Sequence, residues 1–397
     1  MIDYTQHTIT LQDGSLFNFK RRFKKTRQSL ATLLGQVIDG RSIFGKRHPL
    51  PLILIILFCG ICAGNTTIAD CWLWALHNRK WLKKYVGLPH NLPDERTLAR
   101  AIAKTDPNSL INAFLTFRRI IYGYIPQGVA SFDGKTLNGV HGKDVIKHML
   151  SLFTHENHQI IGQIGVTQKE NEIPAFHRLL EQVSVAGMLL IGDALHTQKD
   201  TVTDIIIHHA NYLLFAKDNQ EQLVCDLSMF FRDIPFGSTT DTAIISDTKR
   251  RRSITTTVTV SHDANMCEYL GIKWEKVKTI GKIHRVGIRV ASDGKETVIN
   301  ETVYCISSQE LTATEVAEHT RSHWQIENNL HWEKDWLFLE DRQTLKSGNA
   351  PQVMSFLRSF CLSLFALWQF SSPANAVSNF EKNITLHHTF LRIAGVV

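Results

Sequence analysis

The run Met188-Leu-Leu-Ile-Gly, closed by Asp193, constrains the fold more than any other stretch of the chain. A short continuous apolar segment bounded by turn residues reads as a strand buried on both faces. Such a strand needs partners on either side in a sheet, and helices above and below it. That is the architecture of an α/β domain. A carboxylate at the end of a buried strand is costly, so Asp193 needs a reason of its own.

The flanking patterns supply the rest of the sheet. "GVASFDGKTLNG" reads as a strand followed by a turn, and "HMLSLFTHENHQIIGQIGVTQKE" as two strands joined at "HENHQ". "IPAFHRLLEQV" is an amphipathic helix with Pro174 in its first turn, where proline is permitted. A further helix starts near Gln198, and "YLLFAKDNQ" is another strand and turn. The predicted order is strand, strand, strand, helix, strand, helix, strand. Residues 236–305 are rich in β-branched residues and charges and read as an inserted sheet. Thr312 with Glu315 forms a capping box that opens a late helix.

Upstream, residues 30–118 read as a small all-helical unit. The apolar stretch "LPLILIILFCGICAG" at 50–64 falls short of the roughly 20 residues a membrane span needs, which predicts a core helix and no membrane partner. Residues 1–29 form a basic lead containing "FKRRFKKTR", either a solvated tail or a DNA-touching arm. Seven scattered cysteines argue against a disulfide framework and for a reducing, cytoplasmic compartment. The net charge of +7 is compatible with an anionic partner such as nucleic acid without requiring one.

Three carboxylates stand out by position. Asp133 ends the first strand of the mixed region, Asp193 ends the fourth, and Glu327 lies on the late helix. A hairpin followed by a right-handed crossover makes the first and fourth strands neighbours. Both aspartates then reach the carboxyl ends of adjacent strands, where open α/β sheets place their sites. Like charges so placed repel unless a cation lies between them, and oxygen ligands favour magnesium or manganese over zinc. Two such cations about 4 Å apart suit phosphodiester chemistry. The plainer reading is that both aspartates cap turns. His319, His323, Glu327 and His331 recur every four residues and form one helical stripe, either facing phosphate together with Lys334 or simply a polar helix face with Trp324, Leu330 and Trp332 turned inward.

"FDGKTL", "GQIGVTQKENEIPA", "GDALHTQKD", "YLLFAKDNQ" and "HWQIENNLHW", in this order, resemble the bacterial H-repeat-associated proteins, insertion-sequence transposases of the DDE class. The resemblance runs from about residue 30 to about residue 360. It implies an RNase H-like catalytic domain over 125–365 carrying the β-rich insertion and a transposase-associated helical domain over 30–118; residues 366–397, beyond it, read as a C-terminal tail. It also implies Asp133, Asp193 and Glu327 as the metal-binding triad. Related transposases place tyrosine seven and arginine four residues before the glutamate; here those positions hold Thr320 and His323. Lys334, seven residues after Glu327, fits the pattern, and the family turn K-G-N-Q reads "KDNQ", with Asp218 in the glycine's place.

The expectation is a transposase that cuts element ends and joins them to target DNA, with magnesium or manganese held by Asp133, Asp193 and Glu327. Lys135, Lys217, Asn219, His323 and Lys334 are the candidate phosphate contacts. The partners are double-stranded DNA carrying terminal inverted repeats, the target DNA, and further copies of the chain in a dimer or larger assembly. Two rivals remain open at this point: a metal-dependent nuclease without strand transfer, and a DNA-binding remnant without catalysis.

Overall fold

The computed structural model describes residues 29–122, 128–137, 146–156, 158–167, 172–249, 252–290 and 295–394, with three short strands, Ile2–Asp3, Thr8–Thr10 and Leu16–Asn18, ahead of them. The basic stretch at 19–27 lies outside the described residues. Helices come first: α1 (Leu30–Leu34), α2 (Leu50–Cys62), α3 (Ile68–His77), α4 (Arg79–Tyr85), α5 (Glu95–Ala103) and α6 (Pro107–Tyr122). Strands β1 (Val129–Thr136), β2 (Ile146–Thr154) and β3 (Ile160–Thr167) follow, then α7 (Glu172–Gln182), β4 (Leu189–Gly192), α8 (Lys199–Ile207), β5 (Asn211–Ala216) and α9 (Glu221–Arg232). Next are β6 (Thr240–Lys249), β7 (Arg252–Ser261), α10 (Ala264–Gly271), β8 (Thr279–Val290) and β9 (Glu296–Ser307). The chain ends in α11 (Ala313–Ile326), a π turn (Glu327–His331), α12 (Trp332–Phe338), α13 (Ala350–Leu367), α14 (Pro373–Lys382) and α15 (Ile384–Ile393).

The chain folds as two compact units. One comprises residues 1–126, 134–171 and 327–397, and the other residues 127–133 and 172–326, so β1 passes between them at Asp133 and Gly134.

In the first unit the helices of residues 30–122 share a core with α13 and the β2–β3 hairpin rather than standing alone. The apolar stretch at 50–64 becomes α2, buried along almost its whole length. Its Phe58 ring packs against Phe114, Phe360 and Phe390 with centroids 5.0–6.2 Å apart. Cys59 and Cys62 are buried thiols here, and burial pushes both well up from the ordinary cysteine range. Helix α13 is long and apolar enough to cross a membrane by length and composition, but it is buried within the unit and carries Arg358 in an ion pair.

The second unit is built on the sheet. Strand β4, buried at all four positions, pairs in parallel with both β1 and β5. This is the surrounding that its uninterrupted apolar run demands. Residues 236–305 do not make a separate sheet. Tyr304–Ser307 of β9 pair antiparallel with Leu213–Ala216 of β5, and β8, β7 and β6 continue outward as a meander. Leu189, Ile191, Leu213 and Phe215 form one core cluster with Val258, Ile283 and Val316, so α11 covers the inner end of this extension. The capping box that starts α11 is present: Thr312 N donates to Glu315 Oε2 at 2.8 Å, and Glu315 N donates to Thr312 Oγ1 at 3.2 Å. The turn that follows β5 is a 3-10 turn over Asp218–Gln220.

Candidate active site

The register of β1 against β4 carries the central observation. Val129, Ala130 and Ser131 pair with Leu189, Leu190 and Ile191. Asp133 and Asp193 therefore each lie two residues beyond the last pair, at equivalent positions on parallel neighbours about 4.8 Å apart. Equal parity puts both on the same face. Gly192 is required here: a Cβ at that position would come 2.3 Å from Phe132 Cζ, so the ring lies directly against the strand. Phe132 stacks on Phe176 at 4.3 Å and meets the edge of His196 at 4.9 Å. These packed rings lock the strand ends that carry the two carboxylates.

Asp193 is also a cap. Its Oδ1 accepts from Leu195 N at 3.1 Å and from His196 N at 3.4 Å, opening the 3-10 turn Ala194–His196. Capping and metal ligation are compatible, because both bonds go to one oxygen. The turn is tied down twice more. Thr197 Oγ1 donates to Phe215 O at 2.5 Å, and Asn219 Nδ2 donates to Ala194 O at 2.6 Å. Asn219 thus holds the Asp193 turn, while Lys217 is exposed at the end of β5.

His323, on α11, lies over the same strand ends. Its Nδ1 is 3.1 Å from Ser131 Oγ, and Ser131 shares the face of β1 that carries Asp133. Burial lowers the His323 pKa to about 4 despite the opposing charge of Asp193, so the ring is neutral at pH 7. Ser131 and Thr197 escape sequence reasoning, since a buried hydroxyl leaves no mark on strand periodicity.

Glu327 belongs to the other unit. It is exposed and begins the π turn, a winding that often marks functional positions in helices. Among the described residues, no three His, Cys, Asp or Glu side chains stand together closely enough to hold a metal ion. The donor chemistry at Asp133 and Asp193 fits a hard divalent cation as a pair of oxygen ligands in register.

The expected four-residue stripe is broken by the change in winding. His319 and His323 are half-buried and Glu327 is exposed, but His331 is buried, and that burial, with the charges of Lys334 and Lys135, lowers its pKa to about 3. Leu330 turns inward as expected. Trp332 does not: it is 52% exposed and stacks on the 55% exposed Trp336, with centroids 5.5 Å apart and planes 6° from parallel.

Lys135 and Lys334, expected at phosphate, are instead buried among carboxylates. Lys334 is 1% exposed; its ammonium is 2.9 Å from Glu340 and donates to Ser355 Oγ at 2.7 Å. Lys135 pairs with Asp335, lies 3.8 Å from Asp341 and 4.0 Å from Glu340, and donates to the His331 carbonyl at 3.2 Å. Burial alone would raise the Glu340 pKa, but Lys334, Arg358 and Lys135 hold it down to about 2. A lysine so committed would have to leave its carboxylates to reach DNA.

A family model described as "Transposase DDE domain" matches residues 126–364, more than half of the chain. A second, "DDE_Tnp_1-associated", matches residues 31–118. "Putative transposase YncI" of Escherichia coli O157:H7 is 28% identical over 344 residues, covering 85% of this chain and 87% of that protein. "H repeat-associated putative transposase YhhI" of Escherichia coli K12 is 26% identical over 331 residues, covering 82% and 87%. With a strand-end aspartate pair in the matched region, the chain belongs to the DDE-domain transposase family.

Proposed function

We propose that this chain cuts the ends of an insertion sequence and joins them to target DNA, within an RNase H-like domain. The observation that carries the reading is the register that brings Asp133 and Asp193 to equivalent ends of parallel strands. Asp133, Asp193 and Glu327 would hold magnesium or manganese. The metal pair would supply activation of the attacking oxygen and neutralisation of charge on the phosphate.

The chain's own residues supply position and phosphate donors. Phe132 and Phe176 keep the strand end rigid beneath the carboxylates. Asn219 and Thr197 hold the Asp193 turn, so that its carboxylate needs little reordering when a cation arrives. His323, neutral and bonded to Ser131, is a donor for a phosphate oxygen, and the exposed Lys217 is a second, cationic one.

The test is cleavage and strand transfer on DNA carrying the element's ends, in magnesium. The parent should give joined products, and Asp193→Asn should lose at least about a thousandfold in rate. Asp193→Asn cutting as fast as the parent would refute the site. Free ends without joined products would make the chain a nuclease, and salt-sensitive binding without cleavage would make it a remnant.

A further inference from the structure

The proposed chemistry uses none of the buried charges that follow Asp133 and Glu327. We infer that Lys135 is a positioning residue: its ammonium fixes the π turn that begins at Glu327 against the end of β1, and it does not contact DNA. Lys135 lies two residues beyond Asp133 on the same face of β1, about 7 Å along the strand. Its Nζ donates to the carbonyl of His331, the last residue of the π turn, at 3.2 Å. The same ammonium pairs with Asp335, one helical turn further on. Two attachments, before and after the start of α12, fix both the height and the rotation of the turn.

The electrostatics oppose the rival role. Around Lys135 stand Asp335, Glu340 and Asp341, and the remaining cations of the cluster are Lys334 and Arg358. Three positive and three negative charges balance, and the cluster has no excess positive charge to offer a phosphate. Freeing Lys135 for DNA would take an ion-pair partner from the half-buried Asp335 and from Asp341, while the buried Glu340 would keep Lys334 and Arg358. A charge-assisted bond to a backbone carbonyl is stronger than a neutral one, which suits it to holding the turn in place.

The effect on cleavage rests on reading Glu327 as a metal carboxylate; the attachment itself does not. Lys135→Met, Lys135→Arg and Asp335→Asn are compared with the parent by hydrogen exchange and by DNA binding against salt. In Lys135→Met the amides of residues 327–335 should exchange at least about tenfold faster. Lys135→Arg should restore protection, and Asp335→Asn should lie between, so the inference stays testable should Lys135→Met misfold. The slope of log affinity against log salt should not change, whereas loss of a phosphate contact lowers it by about 0.9. At saturating DNA, kcat should fall at least about tenfold with KM unchanged. Parent-like exchange in Lys135→Met and Asp335→Asn, or a slope lowered by about one, overturns the inference. A parent without metal-dependent cleavage would sink the proposed function and leave exchange and salt slope to decide this one.

Discussion

Replacing Glu340 with glutamine perturbs the centre of the buried charge cluster. Glu340 is 2% exposed, 2.9 Å from the Lys334 ammonium and 3.3 Å from the Arg358 guanidinium. These cations hold its pKa at about 2 against an ordinary 4.5. At about 1.4 kcal/mol per unit, the difference corresponds to on the order of 3 kcal/mol of stability. Removing one partner of a buried pair costs about 3–5 kcal/mol by independent reasoning, so the two routes agree. The folded-state pKa is depressed, so this stability is fully present above pH 4.5 and is lost as pH falls through about 2. Urea unfolding followed by tryptophan fluorescence suits the test, because Trp72, Trp74, Trp81, Trp332, Trp336 and Trp368 all belong to the unit that contains Glu340. Glu340→Gln should lose about 3 kcal/mol at pH 7 and about half of that at pH 3. A loss below about 0.5 kcal/mol, or one that does not change with pH, would refute the reasoning.

Gly192→Ala forces a Cβ into the Phe132 ring and should cost about 1–3 kcal/mol; Phe132→Leu in the same chain should recover part of it, and strictly additive losses in a double-mutant cycle would argue against the contact. His387 is buried, which lowers its pKa to about 4 although the Phe380 carbonyl opposes the shift, so its contribution is present above pH 6.5 and lost as pH falls through 4. In that window His387→Met should reduce the slope of stability against pH by up to about 1.4 kcal/mol per unit, and an unchanged slope counts against it. Asn219→Ala removes the bond to Ala194 O and should speed amide exchange in residues 194–197 while costing only about 1 kcal/mol in global stability, as read by exchange and urea unfolding together.

Local patterns made much of the second unit legible. Leu189–Gly192 had to be a strand covered on both faces because nothing polar interrupts it, and the hairpin before it left β1's free edge as its neighbour. The aspartate register then followed from parity. The Thr312 and Glu315 cap was readable because both partners lie within four residues. What could not be read depends on distant partners. The continuity of β9 with β5 rests on pairing between residues nearly a hundred apart. Lys334 looked like a free cation because Glu340, Ser355 and Arg358, which bury it, meet it only in the folded chain. The four-residue spacing of His319, His323, Glu327 and His331 presumed uniform α-helix, and no glycine or proline in that run announces the π turn that breaks it. The exposure of Trp332 follows from the same change in winding.

The central claim is that Asp133, Asp193 and Glu327 share cations, and manganese is the direct probe because its anomalous scattering locates the ion without reference to activity. Crystals grown with manganese and element-end DNA should show anomalous peaks touching Asp133 and Asp193 with Glu327 on one of them, and none there in Asp193→Asn. Manganese bound elsewhere, with Asp193 serving its turn alone, would contradict the account.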